Sequence, residues 1–359
     1  MWLEHIAEIE PYKPGKPISE VERELGIKGA VKLASNENPI SPSPKAVQAI
    51  LEAVKDINRY PDGSGFYLKK KLSQHLGVGE DFIILGNGSN EIINMIGIAF
   101  LSDGDEAIFA DPSFDIYRIV TRMSNARGVV VPTRSWKHDL SAMAGKITDR
   151  TKVIFICNPN NPTGTIVTRD EVEEFMELIP PGILVVFDEA YWEYAPRHLM
   201  PDVIKYIMEG RDVIALRTFS KIYGLAGLRI GYGMARPQII EYLERVRPPF
   251  NVSSLAQAAA IAALDDEEHV RRTIEANEEG KRYLYEELRK LGLGYVPTYA
   301  NFILVDVGRD SKEVADMLLK EGVIVRPMKG KISNYIRVTI GLPHENEAFI
   351  SAIRKVMSL

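Results

Sequence analysis

A lysine and an arginine suited to covalent chemistry follow an apolar run in the middle of the chain. Lys221 ends the segment RTFSK after the run DVIAL, and Arg229 lies eight residues further on, beyond a turn with two glycines. Apolar surroundings favour the neutral amine of a lysine, which is the form that attacks a carbonyl carbon. The segment therefore predicts a nucleophilic lysine, with Arg229 either in the same pocket or on the surface as an ordinary cation.

A carboxylate follows a second apolar run. Asp188 comes directly after ILVVF and opens the motif DEAY (188–191). A carboxylate at the end of an apolar strand is costly unless it meets a cation. The functional interpretation is a buried acid paired with positive charge, and the structural alternative is an aspartate that caps a helix.

Two loops supply polar groups after other runs. The turn GNGSN (86–90) leads into a helix from about Glu91, where free backbone N–H groups form an anion site. Ser89 would cap this helix and meet a phosphate oxygen, although an ordinary capped helix start has the same pattern. The loop NPNNPTG (158–164) has two prolines and a glycine, which predict either a rigid support for an amide side chain or a plain connecting turn.

The elements that must position these groups alternate between strand and helix. Such alternation, with nearly continuous apolar strands, predicts an α/β domain at residues 30–247 whose mostly parallel sheet is covered on both faces. Ligands of such sheets bind beyond the carboxyl ends of the strands. The predicted strands are 82–85, 106–110, 128–132, 152–157, 183–187 and 212–216, and helical spacing occurs at 169–178 and 201–209.

A second, smaller α+β domain is predicted at residues 248–359, together with an N-terminal arm at 1–29 that packs on it or on a neighbouring molecule. The segment RPPFNVSS (247–254) breaks the alternation of the first domain. Beyond it, the patterns predict a long helical stretch at 255–291 interrupted at 265–268, strands near 301–307, 323–326 and 335–340, and helices at 311–320 and 345–357.

Composition excludes several other classes of protein. The net charge of −5 over 359 residues, with no long run of Lys or Arg, argues against a nucleic-acid surface. Cys157 is the single cysteine, so an internal disulfide is excluded. The six histidines are scattered and show no metal-ligand spacing, which predicts no metal site and single exposed side chains. We find no signal peptide and no membrane-spanning run, and expect a cytoplasmic protein.

The coincidence of these groups at successive strand ends indicates one cofactor. A pyridoxal 5′-phosphate site needs donors and a cation for the phosphate, a carboxylate for the pyridinium nitrogen, donors for the 3′-oxygen and an amine for the aldehyde. These parts are supplied by the predicted anion turn, the amide loop, Asp188, Tyr191, Lys221 and Arg229.

The motifs NPNNPTG, DEAYWEY and RTFSKIYGLAGLRIGY resemble those of fold-type I, aspartate-aminotransferase-like pyridoxal-phosphate enzymes over nearly the whole chain. The segments PYKPGKP, LASNENP, RYPDG and VIVRPM…NYIRVTIG narrow the resemblance to the histidinol-phosphate aminotransferase family. It implies amino transfer from histidinol phosphate to 2-oxoglutarate, giving imidazole-acetol phosphate and L-glutamate in histidine biosynthesis.

The resemblance also implies roles around the cofactor ring. Lys221 would bond to the cofactor and then move the proton between Cα and C4′. Asp188 would pair with the ring nitrogen, and Tyr191 and Asn161 would hydrogen-bond the 3′-oxygen. Phe114, in ADPSFDIY, would stack on the ring; its alternative is simple core packing.

Cofactor phosphate and substrate contacts follow from the same resemblance. The phosphate would meet the backbone at Ser89 and Asn90, the hydroxyls of Thr218 and Ser220, and Arg229.

In a homodimer with shared sites, Tyr60 would reach the cofactor phosphate of the partner subunit. Arg337 would clamp the α-carboxylate of the substrate, Arg326 would meet the phosphate of histidinol phosphate, and Asn36 and Tyr12 would line the substrate side. For the two arginines, the alternatives are a cation at a strand edge and a salt bridge within the small domain.

Two other functions remain open on this scaffold, and a third is argued against. An aromatic-amino-acid aminotransferase uses the same lysine, aspartate and carboxylate clamp, so these residues do not separate the two reactions. A threonine-phosphate decarboxylase shares the fold and would release CO₂ without a keto acceptor. A non-catalytic regulator that binds the cofactor would carry a DNA-binding module, for which the two predicted domains leave no room.

Overall fold

The computed structural model describes residues 2–11 and 17–358. The strands are β1 (Val31–Lys32), β2 (Ile83–Gly86), β3 (Glu106–Asp111), β4 (Arg127–Pro132), β5 (Thr151–Cys157), β6 (Leu184–Asp188), β7 (Val213–Thr218), β8 (Gly231–Ala235), β9 (Tyr295–Val296), β10 (Phe302–Asp306), β11 (Val323–Ile324), β12 (Arg326–Pro327) and β13 (Tyr335–Thr339). The α-helices are α1 (Glu4–Ala7), α2 (Ile18–Leu25), α3 (Pro44–Ala53), α4 (Phe66–Leu76), α5 (Ser89–Phe100), α6 (Ile116–Met123), α7 (Leu140–Ala144), α8 (Arg169–Glu177), α9 (Val203–Met208), α10 (Pro237–Val246), α11 (Ser254–Leu264), α12 (Glu267–Lys290), α13 (Ser311–Lys320) and α14 (Pro343–Met357).

A seven-stranded sheet with the order β2-β8-β7-β6-β5-β3-β4 forms the centre of the first domain. The pairs among β3, β4, β5, β6 and β7 are parallel, which confirms the predicted mostly parallel sheet. Strand β8 pairs antiparallel with both β2 and β7 and was not predicted. Its sequence, GYGMA, has two glycines and no β-branched residue, so its strand signal is weak.

Both faces of this sheet are covered by helices, as the apolar strands predict. Along β6, Val185 and Phe187 point into one apolar core, whereas Leu184 and Val186 point into the other. Side chains of α8, α9 and α11 fill the first core, and side chains of α5, α6 and α10 fill the second. The period of two along a strand thus sorts its residues between two layers of helices.

The second domain has a four-stranded antiparallel sheet with the order β12-β13-β10-β9. One face, which includes Ile303 and Ile336, packs against α12, α13 and α14 in a separate apolar core. The opposite face carries Phe302, which belongs to the core of the first domain. This sheet therefore presents one face to the large sheet.

The observed packing corrects the predicted domain limits in two places. Helix α11 was assigned to the second domain, but its alanines pack in the core of the large sheet beside α3 and α4. Strand β1 was assigned to the first domain, but it pairs in parallel with β11 of the second. The interruption of the helical stretch is confirmed, because Asp266 caps α12 by accepting a hydrogen bond from His269 N at 3.2 Å.

The N-terminal arm contacts both domains within the described residues. Val21 of α2 packs with Ile324 of the second domain, as predicted. Glu10 forms a salt bridge of 2.7 Å with Lys329 of the same domain, whereas Glu8 pairs with Arg122 on α6 of the first. No helix in the described part of the chain combines the length and apolarity needed to cross a membrane.

Candidate active site

The loops that follow β5, β6 and β7 meet at one edge of the large sheet. These three strands are parallel and adjacent, so their carboxyl ends lie side by side. The loops carry Asn161, Tyr191 and Lys221, and the small-domain sheet faces them with Arg337. The predicted convergence of the strand-end groups is therefore present.

Lys221 lies in the crevice between the two sheets. Its amine donates a hydrogen bond to the carbonyl oxygen of Ser35 at 3.3 Å and lies 5.6 Å from the centre of the Tyr191 ring. Burial, with a further contribution from the positive charge of Arg337, lowers the pKa of Lys221 to about 8. A sizeable fraction of this amine is consequently neutral near physiological pH.

Asp188 is a buried acid at the end of β6, 3% exposed, and not a helix cap. Its Oδ2 accepts a hydrogen bond from the Tyr117 hydroxyl at 2.7 Å, and its Oδ1 accepts one from Ala190 N at 3.3 Å. Burial raises the pKa of Asp188, while these two donors and the charge of Lys221 act in the opposite direction. The positive charge near this acid comes from Lys221, and its effect follows those of the Tyr117 hydroxyl and Ala190 N.

Arg337 ties the small-domain sheet to the loop after β5. Its Nη1 donates to Asn161 Oδ1 at 2.6 Å, and its Nη2 donates to the carbonyl oxygen of Ala34 at 2.7 Å. Asn36, which lies two residues after Ala34, donates through Nδ2 to the Tyr191 hydroxyl at 2.9 Å. The four predicted residues Arg337, Asn161, Asn36 and Tyr191 therefore line the same crevice, in two hydrogen-bonded pairs.

The predicted anion turn is formed by the start of α5 and Arg229. Gly88 has a φ of 75°, and a Cβ atom there would lie 2.5 Å from Arg229 Nη2. Arg229 Nη1 donates to Ser220 Oγ at 3.4 Å. A guanidinium, a hydroxyl and the free N–H groups of a helix start thus lie together, which is an arrangement suited to a phosphate.

Three details of this anion site differ from or add to the prediction. Helix α5 begins at Ser89, and its N-cap is Gly88 without a side-chain hydrogen bond, so the expected capping role of Ser89 is wrong. Asn90 Oδ1 is buried with no hydrogen-bond partner among the described residues. Thr218 is buried and accepts a hydrogen bond from Ser220 N at 3.1 Å, which orders the two predicted hydroxyls.

Two aromatic residues predicted for the site have different surroundings. Phe114 is partly buried and packs edge-on against Tyr117, with ring centres 5.8 Å apart. Tyr60 is 82% exposed and stacks on Phe250 at 4.6 Å. Phe114 is thus next to the partner of Asp188, whereas Tyr60 lies on the surface of its own chain.

Arg326 lies beside Arg337 on the small-domain sheet. The two residues are directly opposite each other in the β12–β13 pair. Side chains at paired positions of antiparallel strands project from the same face. Tyr12 lies outside the described residues.

Sequence reasoning missed two contributors near the crevice and misjudged two histidines. The ring centre of Trp136 lies 4.9 Å from that of Tyr335, which is two residues before Arg337 on β13. Tyr117 lies in the same segment, ADPSFDIY, as the predicted Phe114, and this closeness in the sequence was a usable signal for it. His138 and His269 are buried, although surface positions were expected, and burial lowers the pKa of His138 to about 4.

Two comparisons of the sequence with known proteins indicate the same kind of enzyme. Residues 28–353 match the family model for aminotransferase class I and II. The chain is 54% identical over 359 residues to histidinol-phosphate aminotransferase of Moorella thermoacetica, covering 99% of this chain and 92% of the relative.

Two solved structures share the fold. The histidinol-phosphate aminotransferase of Sinorhizobium meliloti in complex with pyridoxal-5′-phosphate superposes with a TM-score of 0.92 at 28% identity, covering 99% of this chain and 97% of that one. A double mutant of Thermus thermophilus aspartate aminotransferase has a TM-score of 0.82 at 23% identity, covering 100% of this chain and 98% of that one, which shows the common fold.

The lowered pKa of Lys221 predicts an unusual pH dependence of its reactivity. An amine reacts with acylating reagents only when it is neutral, so labelling of Lys221 should reach half its maximal rate near pH 8. The measurement is acetic anhydride labelling, followed by peptide mass spectrometry, of protein freed from carbonyl ligands. Lys312 is the control, because its exposed ion pair with Asp316 raises its pKa. An identical midpoint for both lysines would contradict the assigned environment.

Proposed function

The chain belongs to the aminotransferase class I and II family, and we propose that it transfers the amino group of histidinol phosphate to 2-oxoglutarate, giving imidazole-acetol phosphate and L-glutamate. The observation that carries this choice is the full-length similarity to a relative of that name, 54% identical over 359 residues. Arg326 and Arg337, side by side on one sheet face, fit it because both substrates are anions. The step belongs to histidine biosynthesis, for which we propose a cytoplasmic location.

The described residues fit pyridoxal 5′-phosphate as the cofactor. The space that a Cβ of Gly88 would take from Arg229 and the unpartnered Oδ1 of Asn90 mark a cradle built for a bound group. Ser89, Thr218 and Ser220 complete the phosphate end, while Asp188 and Lys221 supply the acid and the amine. When bound, this cofactor supplies an aldehyde for amines and an electron sink for the substrate.

Lys221 has two tasks in this proposal. Its neutral fraction near pH 8 would supply the nucleophile for the cofactor aldehyde, whose oxygen would leave as water. After the substrate amine replaces it on the cofactor, the freed amine of Lys221 would remove the proton from the substrate Cα and deliver it to C4′. A base whose pKa lies close to the working pH suits such a transfer in both directions.

The remaining groups orient the cofactor ring. Asp188 would pair with the protonated ring nitrogen, Tyr191 and Asn161 would hydrogen-bond the 3′-oxygen, and Phe114 would stack on the ring. Burial raises the pKa of Tyr191 above its ordinary value, so its hydroxyl remains a donor at neutral pH. Asp188 ends β6, and the other three residues lie on loops that follow β3, β5 and β6, so all four side chains lie at one sheet edge.

The anionic groups of the substrates are bound by side chains of the small-domain sheet. Arg337 binds the α-carboxylate of glutamate with its planar guanidinium, and Arg326 beside it binds the phosphate of histidinol phosphate. Asn36, 1% exposed and bonded to Tyr191, lines the substrate side. The role of Tyr12 stays a prediction from the sequence. One pocket with two neighbouring arginines accordingly accepts both substrates in turn.

We also propose a homodimer in which each subunit completes the site of the other. Tyr60 projects from an exposed apolar region on and after α3, the α3 patch, made of Val47, Leu51, Val54, Ile57 and Tyr60. Exposed apolar patches of this kind mark association surfaces. Across such an interface Tyr60 reaches the cofactor phosphate of the partner subunit.

Replacing Lys221 by alanine should separate chemistry from cofactor binding. We expect turnover of histidinol phosphate to fall about 10⁴-fold or more, because both the covalent bond and the base are lost. Pyridoxal phosphate should still bind through its phosphate, as measured by equilibrium dialysis. Lys312→Ala on the surface is the control. Near-normal turnover by Lys221→Ala would overturn the assignment.

Replacing Arg326 by alanine should change substrate preference. Loss of a hydrogen-bonded charge pair costs about 1.5–3 kcal/mol, so kcat/KM for histidinol phosphate should fall roughly 10- to 150-fold. The values for glutamate and phenylalanine should change little. The control is Arg309→Ala, an exposed arginine that donates to Val356 O on the same domain.

The same assay distinguishes the alternative reactions. A wild-type enzyme that prefers phenylalanine to histidinol phosphate would indicate an aromatic-amino-acid aminotransferase. Release of CO₂ from threonine phosphate without a keto acceptor would indicate a decarboxylase. Equal losses for all three substrates in Arg326→Ala would count against a phosphate-binding role for this arginine.

The shared site predicts complementation between two defective chains. Lys221→Ala and Tyr60→Ala should each be weak at limiting cofactor, but a mixed dimer of the two contains one intact site. Random reassociation should restore about a quarter of wild-type activity per site, since about half the dimers are mixed. Lys221→Ala mixed with Asp188→Asn is the control, because neither site of that mixed dimer is intact. No recovery with Tyr60→Ala would show that Tyr60 does not act across an interface.

A further inference from the structure

Tyr117 makes a direct contact with Asp188 that the proposed function leaves without a role. It lies on α6, is 0% exposed, and its hydroxyl donates to Asp188 Oδ2 at 2.7 Å. The two residues are 71 positions apart in the chain and on different elements. This bond links a helix that covers one face of the sheet to the acid at the sheet edge.

The ring of Tyr117 is held on two sides. It stacks on Phe155 of β5 with ring centres 4.7 Å apart and planes 11° apart. It also meets Phe114 edge-on, at 5.8 Å and 89°. Because close packing against these two rings restricts the rotamer of Tyr117, its hydroxyl is held where it donates to Asp188.

The hydrogen bond from Tyr117 affects the ionisation of Asp188. Burial raises the pKa of Asp188, and Tyr117 is the foremost of the groups that lower it. A hydrogen bond to a carboxylate favours its ionised form. Burial and the neighbouring carboxylate raise the pKa of Tyr117 well above its usual value, so the hydroxyl stays a donor throughout the working range.

The charged and titratable groups around Asp188 come from four segments. Tyr117 lies on α6 and Cys157 ends β5, while Glu189 and Tyr191 follow Asp188 on its own segment and Lys221 follows β7. Burial raises the pKa of Cys157 and of Tyr191, so both are neutral near pH 7. Among the described residues, the side chains that stabilise the ionised carboxylate are those of Tyr117 and Lys221.

We propose that Tyr117 is a positioning residue that keeps Asp188 ionised and fixes the direction in which its carboxylate faces the ring nitrogen of the cofactor. This inference rests on the proposed function, because it assumes that pyridoxal phosphate occupies the crevice. Its edge contact with Phe114 gives Tyr117 a second effect. Tyr117 would therefore position both Asp188, at the edge of the cofactor ring, and Phe114, on the face of that ring.

Tyr117→Phe is the direct test, because it keeps the ring and removes only the hydroxyl. Without this donor the pKa of Asp188 rises, so at a given pH a smaller fraction of the carboxylate is ionised. The loss should therefore be largest at low pH and shrink as the pH rises. We expect the affinity of the cofactor-free protein for pyridoxal phosphate to be weaker by about tenfold at pH 6 and nearly normal at pH 9.

The readout is the dissociation constant for pyridoxal phosphate, measured by fluorescence titration between pH 6 and pH 9. Tyr206→Phe is the matched control, since Tyr206 is also a buried tyrosine of the large domain, on α9 away from the crevice. It should match the wild-type protein at every pH. If the wild-type protein binds no pyridoxal phosphate, the proposed function itself fails, which is a different result from equal binding by wild type and Tyr117→Phe.

A double-mutant cycle separates a positioning role from a merely structural one. In an Asp188→Asn background no carboxylate remains for Tyr117 to stabilise, so Tyr117→Phe should add less than about a twofold further loss of affinity. An equal loss in both backgrounds would overturn the proposal. A loss that does not vary with pH, or no loss at all, would overturn it as well. Thermal unfolding of each variant checks that the protein remains folded.

Discussion

The site depends on placing a lysine and an aspartate in one desolvated crevice without neutralising both. Burial raises the pKa of Asp188 and lowers that of Lys221, so each group alone tends toward its uncharged form. For Lys221 this is useful, since a neutral amine is the reactive form. For Asp188 it is harmful, because only the carboxylate stabilises a protonated ring nitrogen. The hydroxyl of Tyr117 and the backbone N–H of Ala190 replace the hydrogen bonds that water would donate to an exposed carboxylate.

The crevice exists only because the small-domain sheet closes it. Arg337 donates to Asn161 on the large sheet and to the carbonyl oxygen of Ala34, and its positive charge contributes to the lowered pKa of Lys221. Phe302, on the same sheet face, packs against Tyr191 at 5.1 Å. In the proposed function, substrate recognition and activation of the lysine therefore share one residue, so a movement of this sheet would change both.

The sequence predicted the features that are local and missed those that depend on distant partners. Apolar runs that precede Asp188 and Lys221 indicated buried strands, and the order of strands brought these groups together. Strand β8 was missed because its glycines carry no strand signal and its place is set by β2 and β7. Tyr117 was missed because its partner is 71 positions away. The limit at residue 247 follows a clear break in the pattern, yet α11 packs back onto the large sheet through an alanine face that periodicity alone does not assign.

The position of the Asp188 carboxylate also depends on a fixed backbone. Side chains on the opposite face of the sheet hold that backbone in place. Glu189 follows Asp188 and Arg217 precedes Thr218, so their side chains project away from the cofactor side. They form an ion pair of 2.8 Å with both partners buried, and Trp192 covers the guanidinium at 3.9 Å. A buried ion pair adds little net stability, but its geometric demands are strict. Since this pair joins the ends of β6 and β7, it fixes the strand that carries the acid relative to the strand that leads to the amine.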